Sequence, residues 1–416
     1  MTDMTDMTDM MEMGRAARSA GQVLRLSSGT VRDGAIRAMA KAIRAGQDAI
    51  LAKNAKDMHR GRGKGLSGAM LDRLALDPDR IAGIANSLDS IAELPDPLGR
   101  TLEEWTQPSG LRFTKTTVPI GVIGMIYESR PNVTADAGAL CVKAGNAVIL
   151  RSGSEAIRSS RAMYREMAKG LVEAGLPASA IQLVEDTDRA HVGAMLGGLD
   201  KTLDLIIPRG GKGLVERVQR EARVPVLAHL DGLNHTYVHE SADADMAREV
   251  VRNAKLRRTG VCGATETVLC DNADMARALA TLLLAEGCEV RADGFAGPGM
   301  TAATQADFAT EYLAPIVNIA VVDGLDAAIA HIARYGSGHT EAIIAEDAEV
   351  AARFLAAVDA AIVMHNASTQ FADGGEFGFG AEIGISTGRL HARGPVGAQH
   401  LVTHKYLVRG DGTIRV

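Results

Sequence analysis

Short apolar strands that alternate with helices constrain the fold of this 416-residue chain more than any other feature. The first series of continuous apolar runs lies at residues 120–126, 147–150, 181–184 and 203–207. A second series begins near residue 244, with strand patterns at 267–269, 316–321, 342–344 and 361–364. Strands that are apolar throughout are typical of parallel sheets covered by helices on both faces. We therefore predict an α/β protein with two Rossmann-like parallel-sheet domains.

Segments outside this alternation complete the predicted domain plan. The opening methionine–threonine–aspartate repeat lacks the basic and apolar regions of a signal peptide, and we interpret residues 1–15 as a disordered leader. The tail at 396–416 alternates charged residues with β-formers, and its expected partner is the β-rich segment within 109–120. Such an extended pair is a natural oligomerisation arm. The remaining chain is divided into a first domain over 16–108, 121–243 and part of 375–395, and a second over 244–374.

Composition argues against several classes of partner. The net charge of −6 and the aromatic content of 3% disfavour nucleic acid, and the charge also disfavours an anionic membrane surface. No apolar run approaches the roughly 20 residues of a membrane span. Four cysteines without CxxC spacing suit a reducing cytoplasm and indicate no structural zinc. His235 and His239 lie four residues apart on a predicted strand, too distant to share an ion, so no metal site is expected.

Cys262 lies on a short turn between Gly260 and Gly263, after Arg257 and Arg258 and before an apolar strand. Glycines leave room for a substrate, and nearby cations lower the pKa of a thiol from about 8.5 towards neutrality. The pattern is therefore compatible with a nucleophile, although a packed thiol in a strand-leading loop is the open alternative. The other cysteines lie in apolar segments or between glutamates and are expected to be poorer nucleophiles: Cys141, Cys270 and Cys288.

Two turns between a strand and a helix are candidates for binding phosphate. The first offers the amides of a helix start and two cations for a pyrophosphate, and it comprises Pro208, Arg209, Gly210 and Gly211. A tight turn without a ligand is the alternative there. The second begins with Arg151 and Ser152, where an arginine at the end of a strand suits a ribose 2′-phosphate. The literal GxGxxG at 63–68 follows a helical stretch, so it lacks the context of a dinucleotide site.

Three sequence blocks resemble one family. They are YESRPNVT at 127–134, the block at 328–343 that contains YGSGHTEAI, and HARGP at 391–395. From about residue 16 to its end, the chain resembles the aldehyde dehydrogenase superfamily and, within it, the γ-glutamyl phosphate reductase family. The resemblance implies an aldehyde dehydrogenase-like fold, in which the first domain binds NADPH and the second carries the catalytic cysteine.

The resemblance also implies roles for individual residues. Cys262 falls on the catalytic cysteine, and Asn132 on the asparagine whose amide forms the oxyanion hole with the Cys262 N–H. Arg151 falls where a lysine meets the adenosine ribose, and Glu311 matches the glutamate that holds the nicotinamide ribose. The full set of cofactor-binding candidates is Arg151, Ser152, Pro208, Arg209, Gly210, Gly211 and Glu311. The candidates for binding substrate are Arg130, Arg257 and Arg258, with a solvated helix end as the alternative for the last two.

The reaction implied by the resemblance is the NADPH-dependent reduction of L-glutamyl 5-phosphate to L-glutamate 5-semialdehyde in proline biosynthesis. Cys262 would attack the acyl carbon, phosphate would leave a thioester, and hydride would release the aldehyde without a metal. A homo-oligomer and a transient contact with glutamate 5-kinase are the expected assemblies.

Departures from the family pattern keep other hypotheses open. Relatives that oxidise aldehydes carry a glutamate that activates water, and His229 lies nearest to that position, although a shifted alignment would place Asp231 there. A hydrolytic aldehyde dehydrogenase is therefore the second hypothesis, and a nucleotide-binding scaffold without catalysis is the third. Gly263 and Asn234 stand where many relatives carry asparagine and cysteine, and neither has an evident chemical role.

Overall fold

The computed structural model describes residues 4–415. The α-helices in this range, α1 to α14 in chain order, are Met4–Leu26, Gly29–Ala45, Gln47–Gly63, Gly68–Leu74, Pro78–Glu93, Pro131–Lys143, Ile157–Glu173, Arg189–Leu196, Lys212–Glu221, Ala244–Leu256, Ala273–Ala285, Gln305–Phe308, Gly324–Tyr335 and Ala348–Ala357. The strands, β1 to β16, are Thr101–Thr106, Arg112–Pro119, Val122–Tyr127, Ala147–Ser152, Ile181–Leu183, Leu205–Arg209, Asn234–Val238, Thr265–Cys270, Glu289–Asp293, Met300–Ala302, Ile316–Val321, Thr340–Ile344, Ile362–His365, Ile385–Ser386, Gly394–Pro395 and Val402–Arg409. None of the described helices is both long and apolar enough to cross a bilayer.

Two parallel sheets confirm the predicted α/β class. The smaller sheet has four strands in the order β5-β4-β3-β6, and each pairing is parallel. The larger sheet has seven strands in the order β10-β9-β11-β8-β7-β12-β13 and is also parallel. Two apolar clusters pack against the larger sheet, one formed with α10 and α11 and the other with α13 and α14. Helices therefore cover both of its faces, which explains why its central strands β8, β7 and β12 are buried at every position.

A separate antiparallel sheet contains the two segments predicted to pair. Strand β16 pairs with β2 from Val402 opposite Pro119 to Arg409 opposite Arg112, which confirms the predicted partner. Strand β1, which the sequence did not indicate, joins the other edge of β2. The Trp105 ring stacks on Phe113 with centroids 5.2 Å apart. The order β1-β2-β16 leaves both outer strands with a free hydrogen-bonding edge among the described residues.

The chain forms two compact units. Unit 1 contains Ala228 and the residues before it, Gly378–Gly384 and the chain from Val396, whereas unit 2 contains His229–Phe377 and Ile385–Pro395. The boundary predicted after residue 243 is therefore misplaced. Strand β7 lies before that boundary, yet it pairs with β8 and β12 in the larger sheet and so belongs to unit 2.

The predicted disordered leader is helical over the part that the structure describes. Helix α1 begins at Met4, so the prediction over 1–15 is wrong for residues 4–15, and residues 1–3 lie outside the described range. Met10, Ala17 and Leu24 are buried at intervals of seven residues along one face of this helix. The sequence pattern does not indicate this face, because the methionines of the opening repeat recur every three residues, whereas one face of a helix recurs every 3.6 residues.

Candidate active site

Four reactive side chains lie at one edge of the seven-stranded sheet in unit 2. Glu311 precedes β11, Cys262 precedes β8, His229 precedes β7 and His339 precedes β12. These strands are consecutive in the order β11-β8-β7-β12, and all of them run in the same direction. The segments that lead into parallel strands meet at the amino edge of a sheet. The topology therefore gathers residues that are far apart in the sequence.

Asn234 holds the turn that carries Cys262. Its amide donates to the Cys262 carbonyl oxygen at 2.6 Å and to the Ala264 carbonyl oxygen at 2.9 Å. Its own oxygen accepts from the Thr340 N–H at 3.2 Å. Gly232 packs against the same turn, where an added Cβ would lie 2.2 Å from the Cys262 carbonyl oxygen. The asparagine at 234 thus has a structural role that a thiol could not fill, because a thiol cannot make all three hydrogen bonds.

Two histidines flank the Cys262 thiol. The Sγ atom and one ring nitrogen from each of His229 and His339 lie within 4.8 Å of one another. His229 Nδ1 lies 2.9 Å from the Ile385 carbonyl oxygen, so it must carry a proton, and Nε2 is left for the thiol. His339 Nδ1 lies 2.8 Å from the Thr340 hydroxyl, which likewise leaves the buried Nε2 for the thiol. Each imidazole is therefore held by its second nitrogen, as expected for a positioned base.

The histidines favour the thiolate form of Cys262. Burial raises the pKa of this thiol, but the charge of His339, with the hydrogen bond and charge of His229, outweighs burial and holds the pKa well below its ordinary value. The residue is half-buried, so the sulfur remains accessible. By contrast, burial raises the pKa of Cys288 to about 11 and strongly raises the pKa of Cys141 and Cys270. Among the four cysteines, only Cys262 combines access with a low pKa.

The structure corrects the expected cause of this low pKa. Arg257 and Arg258 are exposed at the end of α10, and the histidines rather than these arginines lower the pKa of the thiol. The sequence points to His229 only as the residue nearest to a hydrolytic glutamate, and to His339 only as part of a family block. Their shared position directly before strands of one parallel sheet is the signal that would have identified them.

The same three atoms could also coordinate a metal ion. One thiolate and two imidazoles form a donor set that suits zinc, with a fourth position open. A bound ion would withdraw electron density from the thiolate and weaken it as a nucleophile. A metal ion and a covalent substrate would therefore compete for Cys262.

Glu311 lies one strand away from Cys262 and faces the same loop. Its Oε1 atom accepts from the Gly232 N–H at 3.0 Å. Burial raises the pKa of Glu311, the hydrogen bond from Gly232 opposes that increase, and the negative charges of Cys262 and Asp231 add to it. One carboxylate oxygen is thus anchored while the other can accept from a neutral donor such as a ribose hydroxyl.

In unit 1, Asn132 lies in the first turn of α6, after the N-cap residue Arg130. Its Nδ2 donates to Asp136 Oδ2 at 3.0 Å, one helical turn later, and the Ser87 hydroxyl donates to Asp136 Oδ1 at 3.3 Å. Burial raises the pKa of Asp136 to about 6, and the hydrogen bonds from Asn132 and Ser87 oppose that increase. Asp136 therefore fixes the orientation of the Asn132 amide. Asp136 is not among the residues predicted from the sequence, although the spacing of four residues on a helix could have indicated the pair.

We expect Asp136→Ala to lower kcat about tenfold. If Asn132 is the oxyanion donor that the resemblance implies, Asn132→Ala lowers kcat by about 10²–10³-fold. Without the carboxylate, the amide of Asn132 can rotate away from its productive orientation. Steady-state kinetics measure both effects, and Asp136→Asn serves as the control because it keeps an acceptor for Asn132. A kcat for Asp136→Ala equal to that of the wild type would show that the amide needs no such support.

A cleft of about 480 Å³ in unit 1 is lined by Arg151, Arg189, Gly211 and Arg217. Arg151 is only 9% exposed, and its Nη2 donates to the Thr187 carbonyl oxygen at 2.9 Å. Its buried Nε finds no hydrogen-bond partner within residues 4–415. Burial lowers the pKa of Arg151, the charges of Glu155 and Glu128 oppose that decrease, and the charges of Arg189 and Arg217 add to it. An anion in the cleft would satisfy the Nε donor of Arg151.

The predicted phosphate loop is occupied by a carboxylate of the protein itself. The Gly211 N–H, at the start of α9, donates to Glu128 Oε2 at 3.0 Å. A Cβ added at Gly210 would lie 2.5 Å from the same oxygen. Helix starts favour negative charge, so this carboxylate takes the position that suits a phosphate. A pyrophosphate bound here would have to displace Glu128.

Four of the cofactor-binding residues predicted in unit 1 do not line this cleft: Ser152, Pro208, Arg209 and Gly210. Ser152 is 1% exposed and its hydroxyl donates to the Gly153 carbonyl oxygen at 3.2 Å. Pro208 is buried within β6, and Arg209 pairs with Glu382 at 3.6 Å. Adjacent side chains of a strand point to opposite faces, so Arg151 and Ser152 could not both face one cleft.

Comparison with known proteins agrees with this fold. The family model described as the aldehyde dehydrogenase family matches residues 2–287. The crystal structure of an acetylating aldehyde dehydrogenase from Geobacillus thermoglucosidasius superposes with a TM-score of 0.72 at 19% identity, covering 100% of this chain and 99% of that chain. The chain therefore belongs to the aldehyde dehydrogenase family, and the predicted fold is confirmed.

More similar relatives narrow the family further. The γ-glutamyl phosphate reductase of Caulobacter vibrioides is 59% identical over 405 residues, which cover 96% of this chain and 98% of the relative. The crystal structure of γ-glutamyl phosphate reductase from Thermotoga maritima has a TM-score of 0.94 at 40% identity and covers 98% of this chain and 100% of that chain. Within the aldehyde dehydrogenase family, the chain is a member of the γ-glutamyl phosphate reductases, as the three sequence blocks predict.

Proposed function

We propose that this protein reduces L-glutamyl 5-phosphate to L-glutamate 5-semialdehyde in proline biosynthesis, with NADPH as the reductant and release of phosphate. The observation that carries the proposal is the Cys262 thiol between His229 and His339, in a chain of the γ-glutamyl phosphate reductase family. A thiolate is a strong nucleophile towards an acyl phosphate, and phosphate is a good leaving group. The protein is proposed to act in the cytoplasm, in transient contact with the glutamate 5-kinase that makes this labile substrate.

The side chains of the protein supply the first steps of the proposed reaction. The Cys262 thiol transfers its proton to the flanking imidazoles, and the thiolate attacks the acyl carbon. Phosphate leaves with the bonding electrons, and a thioester to Cys262 remains. The Asn132 amide and the Cys262 N–H donate to the oxyanion, and one such donor is typically worth about 3–4 kcal/mol. Arg257 and Arg258 are the proposed contacts of the leaving phosphate, and Arg130 of a substrate anion.

When bound, NADPH supplies the hydride that converts the thioester into the aldehyde and returns Cys262 as a thiolate. The residues present fit this cofactor, because the buried Nε of Arg151 needs an acceptor and the arginines that line the cleft outnumber its glutamates by three to two. Arg151 would hold the adenosine ribose and its 2′-phosphate, and Gly210 and Gly211 would accommodate the pyrophosphate. Glu311 would accept from the nicotinamide ribose.

The reaction run in reverse tests this function against its alternatives. Glutamate 5-semialdehyde and NADP⁺ are mixed with the protein, with and without inorganic phosphate, and NADPH formation is recorded. We expect turnover only with phosphate, because phosphate must accept the acyl group of the thioester before Cys262 is free again. NADPH formation without phosphate would assign a hydrolytic aldehyde dehydrogenase. Binding of NADPH without any turnover would indicate a nucleotide-binding scaffold without catalytic activity.

We expect Arg151→Gln to weaken the binding of 2′,5′-ADP about 10–100-fold, the usual effect of losing a charge-assisted contact to a buried site. The binding of 5′-ADP should change little, since it lacks the 2′-phosphate. Isothermal titration calorimetry measures both affinities without turnover. The exposed Arg165→Gln on α7 is the matched control. An equal loss of affinity for the two nucleotides would show that Arg151 maintains the shape of the cleft and does not contact the 2′-phosphate.

The three-stranded sheet is proposed as an oligomerisation arm. Its outer strand β16 presents Tyr406 and Val408, which are 54% and 51% exposed. A free strand edge with exposed apolar side chains favours pairing with another chain. Light scattering of Tyr406→Lys against the wild type tests the proposal, and an unchanged mass would contradict it.

A further inference from the structure

A second cavity, of about 340 Å³, lies in unit 2 and takes no part in the steps proposed above. The ends of α13 and α14 form two of its walls, and the segments 336–338 and 387–393 complete it. Two of the three family blocks thus line it. Its apolar wall comes from α13, and its charged groups are Glu341, Asp359, Arg389 and Arg393.

Glu341 presents an unpaired oxygen to this cavity. The residue is 0% exposed, and its Oε2 atom accepts from both the N–H and Nδ1 of His235 at 2.8 Å and 2.9 Å. Its Oε1 atom has no hydrogen-bond partner in the described part of the chain. Gly336 leaves space beside it, since a Cβ there would lie 2.8 Å from Oε1. A buried carboxylate oxygen without a donor is costly, so its position points to a cationic ligand.

Two arginines provide the opposite charge in the same cavity. Arg393 Nη1 pairs with Asp359 Oδ1 at 2.6 Å, and Arg389 pairs with the other oxygen of Asp359. One carboxylate thus serves two guanidinium groups, and one positive charge is left over. The buried Nε of Arg393 also lacks a partner among residues 4–415. The cavity therefore offers one carboxylate oxygen without a donor and one surplus cation, the complement of an ammonium and a carboxylate.

We propose that this cavity binds an α-amino acid, with its ammonium at Glu341 and its carboxylate at Arg389 and Arg393, and that this ligand is the amino-acid end of the glutamyl substrate. The proposal rests on the function proposed above. Glu341, the second residue of β12, lies two positions after His339, which corresponds to about 6.6 Å in an extended chain. Three carbon–carbon bonds of about 1.5 Å separate the acyl carbon of a glutamyl group from its α-carbon, so the two separations are of the same order.

A second connection joins the cavity to the thiol. Ser337 lines the cavity, and its hydroxyl accepts from the Leu233 N–H at 3.1 Å. Leu233 lies four residues after His229, in the segment that leads into β7. Both histidines that flank Cys262 are therefore within a few residues of a cavity wall.

Glu341→Gln tests the ammonium contact. The amide oxygen can still accept from His235, while the amide NH₂ takes the position of Oε1 and repels a cation. In the reverse reaction, we expect KM for glutamate 5-semialdehyde to rise about 10–100-fold with kcat little changed. The kinetics of 5-oxopentanoate, which lacks only the amino group, should not change. Asp326→Asn, an exposed carboxylate on α13, is the control.

Arg389→Gln tests the carboxylate contact, and this side chain is 80% exposed, so the fold does not depend on it. We expect KM to rise for both aldehydes that carry a carboxylate, but not for butanal. This variant also decides the matter if Glu341→Gln fails to fold. Unchanged KM values in both variants would overturn the proposal.

The source of the amino acid is settled by adding free L-glutamate or L-proline. These amino acids can change the rate of the wild type but not that of Glu341→Gln, while KM stays unchanged for every aldehyde. That outcome would assign the cavity to a free amino acid and overturn the assignment to substrate. If the wild type itself shows no phosphate-dependent turnover, the proposed function fails, and direct calorimetry with L-glutamate then tests the cavity alone. No binding of L-glutamate in that case would overturn the proposal.

Discussion

Cys262→Ala is expected to lower kcat by at least about 10⁴-fold, the scale on which the loss of a covalent nucleophile acts. Without the sulfur no thioester can form, and the flanking histidines have no thiol to activate. Phosphate-dependent NADPH formation from glutamate 5-semialdehyde measures the loss. Substitution of a half-buried cysteine by alanine removes one atom, so the fold and the binding of 2′,5′-ADP should be retained.

Cys288→Ala is the matched control, because burial raises the pKa of that thiol to about 11 and holds it in its protonated form. Alkylation by iodoacetamide at pH 7 provides a second readout. We expect a single rapidly labelled cysteine in the native wild type and none in Cys262→Ala. Full activity in Cys262→Ala would exclude the covalent mechanism, and rapid labelling of another cysteine would show that the selectivity has another cause.

The fold was predictable because burial on both faces of a sheet leaves a simple pattern in the sequence. Strands β3 and β4 are buried at every position, and apolar runs fill β3 and the first four positions of β4. The short strands β9 and β10 at the edge of the larger sheet escape this reasoning, since they are partly exposed and their pattern is mixed. The domain boundary was misplaced for a related reason. Strand β7 carries polar residues at its first three positions, and only its pairing shows which sheet it joins.

The site was predictable only in part, because the sequence identifies residue types but not the neighbours that a topology creates. Cys262 stands out through its glycine-flanked turn. The histidines that lower its pKa precede other strands, and only the order β8-β7-β12 brings them beside the thiol. Arg257 and Arg258 are the cations closest to Cys262 in the sequence, yet they lie exposed at the end of α10. Proximity in the sequence misled here, because a turn separates the helix from the thiol.

His339→Gln is the second change with a large expected effect, a fall in kcat/KM at pH 7 of about 10²–10³-fold. In the wild type, the low pKa keeps Cys262 as a thiolate until the pH falls through that pKa. The charge of His339 is the largest of the influences that lower it, so the variant raises the pKa of Cys262 and moves the thiolate form to higher pH. Activity should therefore recover as the pH increases, which a purely structural defect would not allow.

The pH dependence of iodoacetamide labelling measures this shift directly and needs neither substrate nor cofactor. His229→Gln should move the profile in the same direction by a smaller amount, since the hydrogen bond from His229 is the lesser influence. The exposed His59→Gln on α3 should leave the profile unchanged. Because His339 is fully buried, a folded His229→Gln keeps the test decisive if His339→Gln is unstable. An unshifted labelling profile in a folded variant of either histidine would mean that the thiolate is stabilised by groups other than these imidazoles.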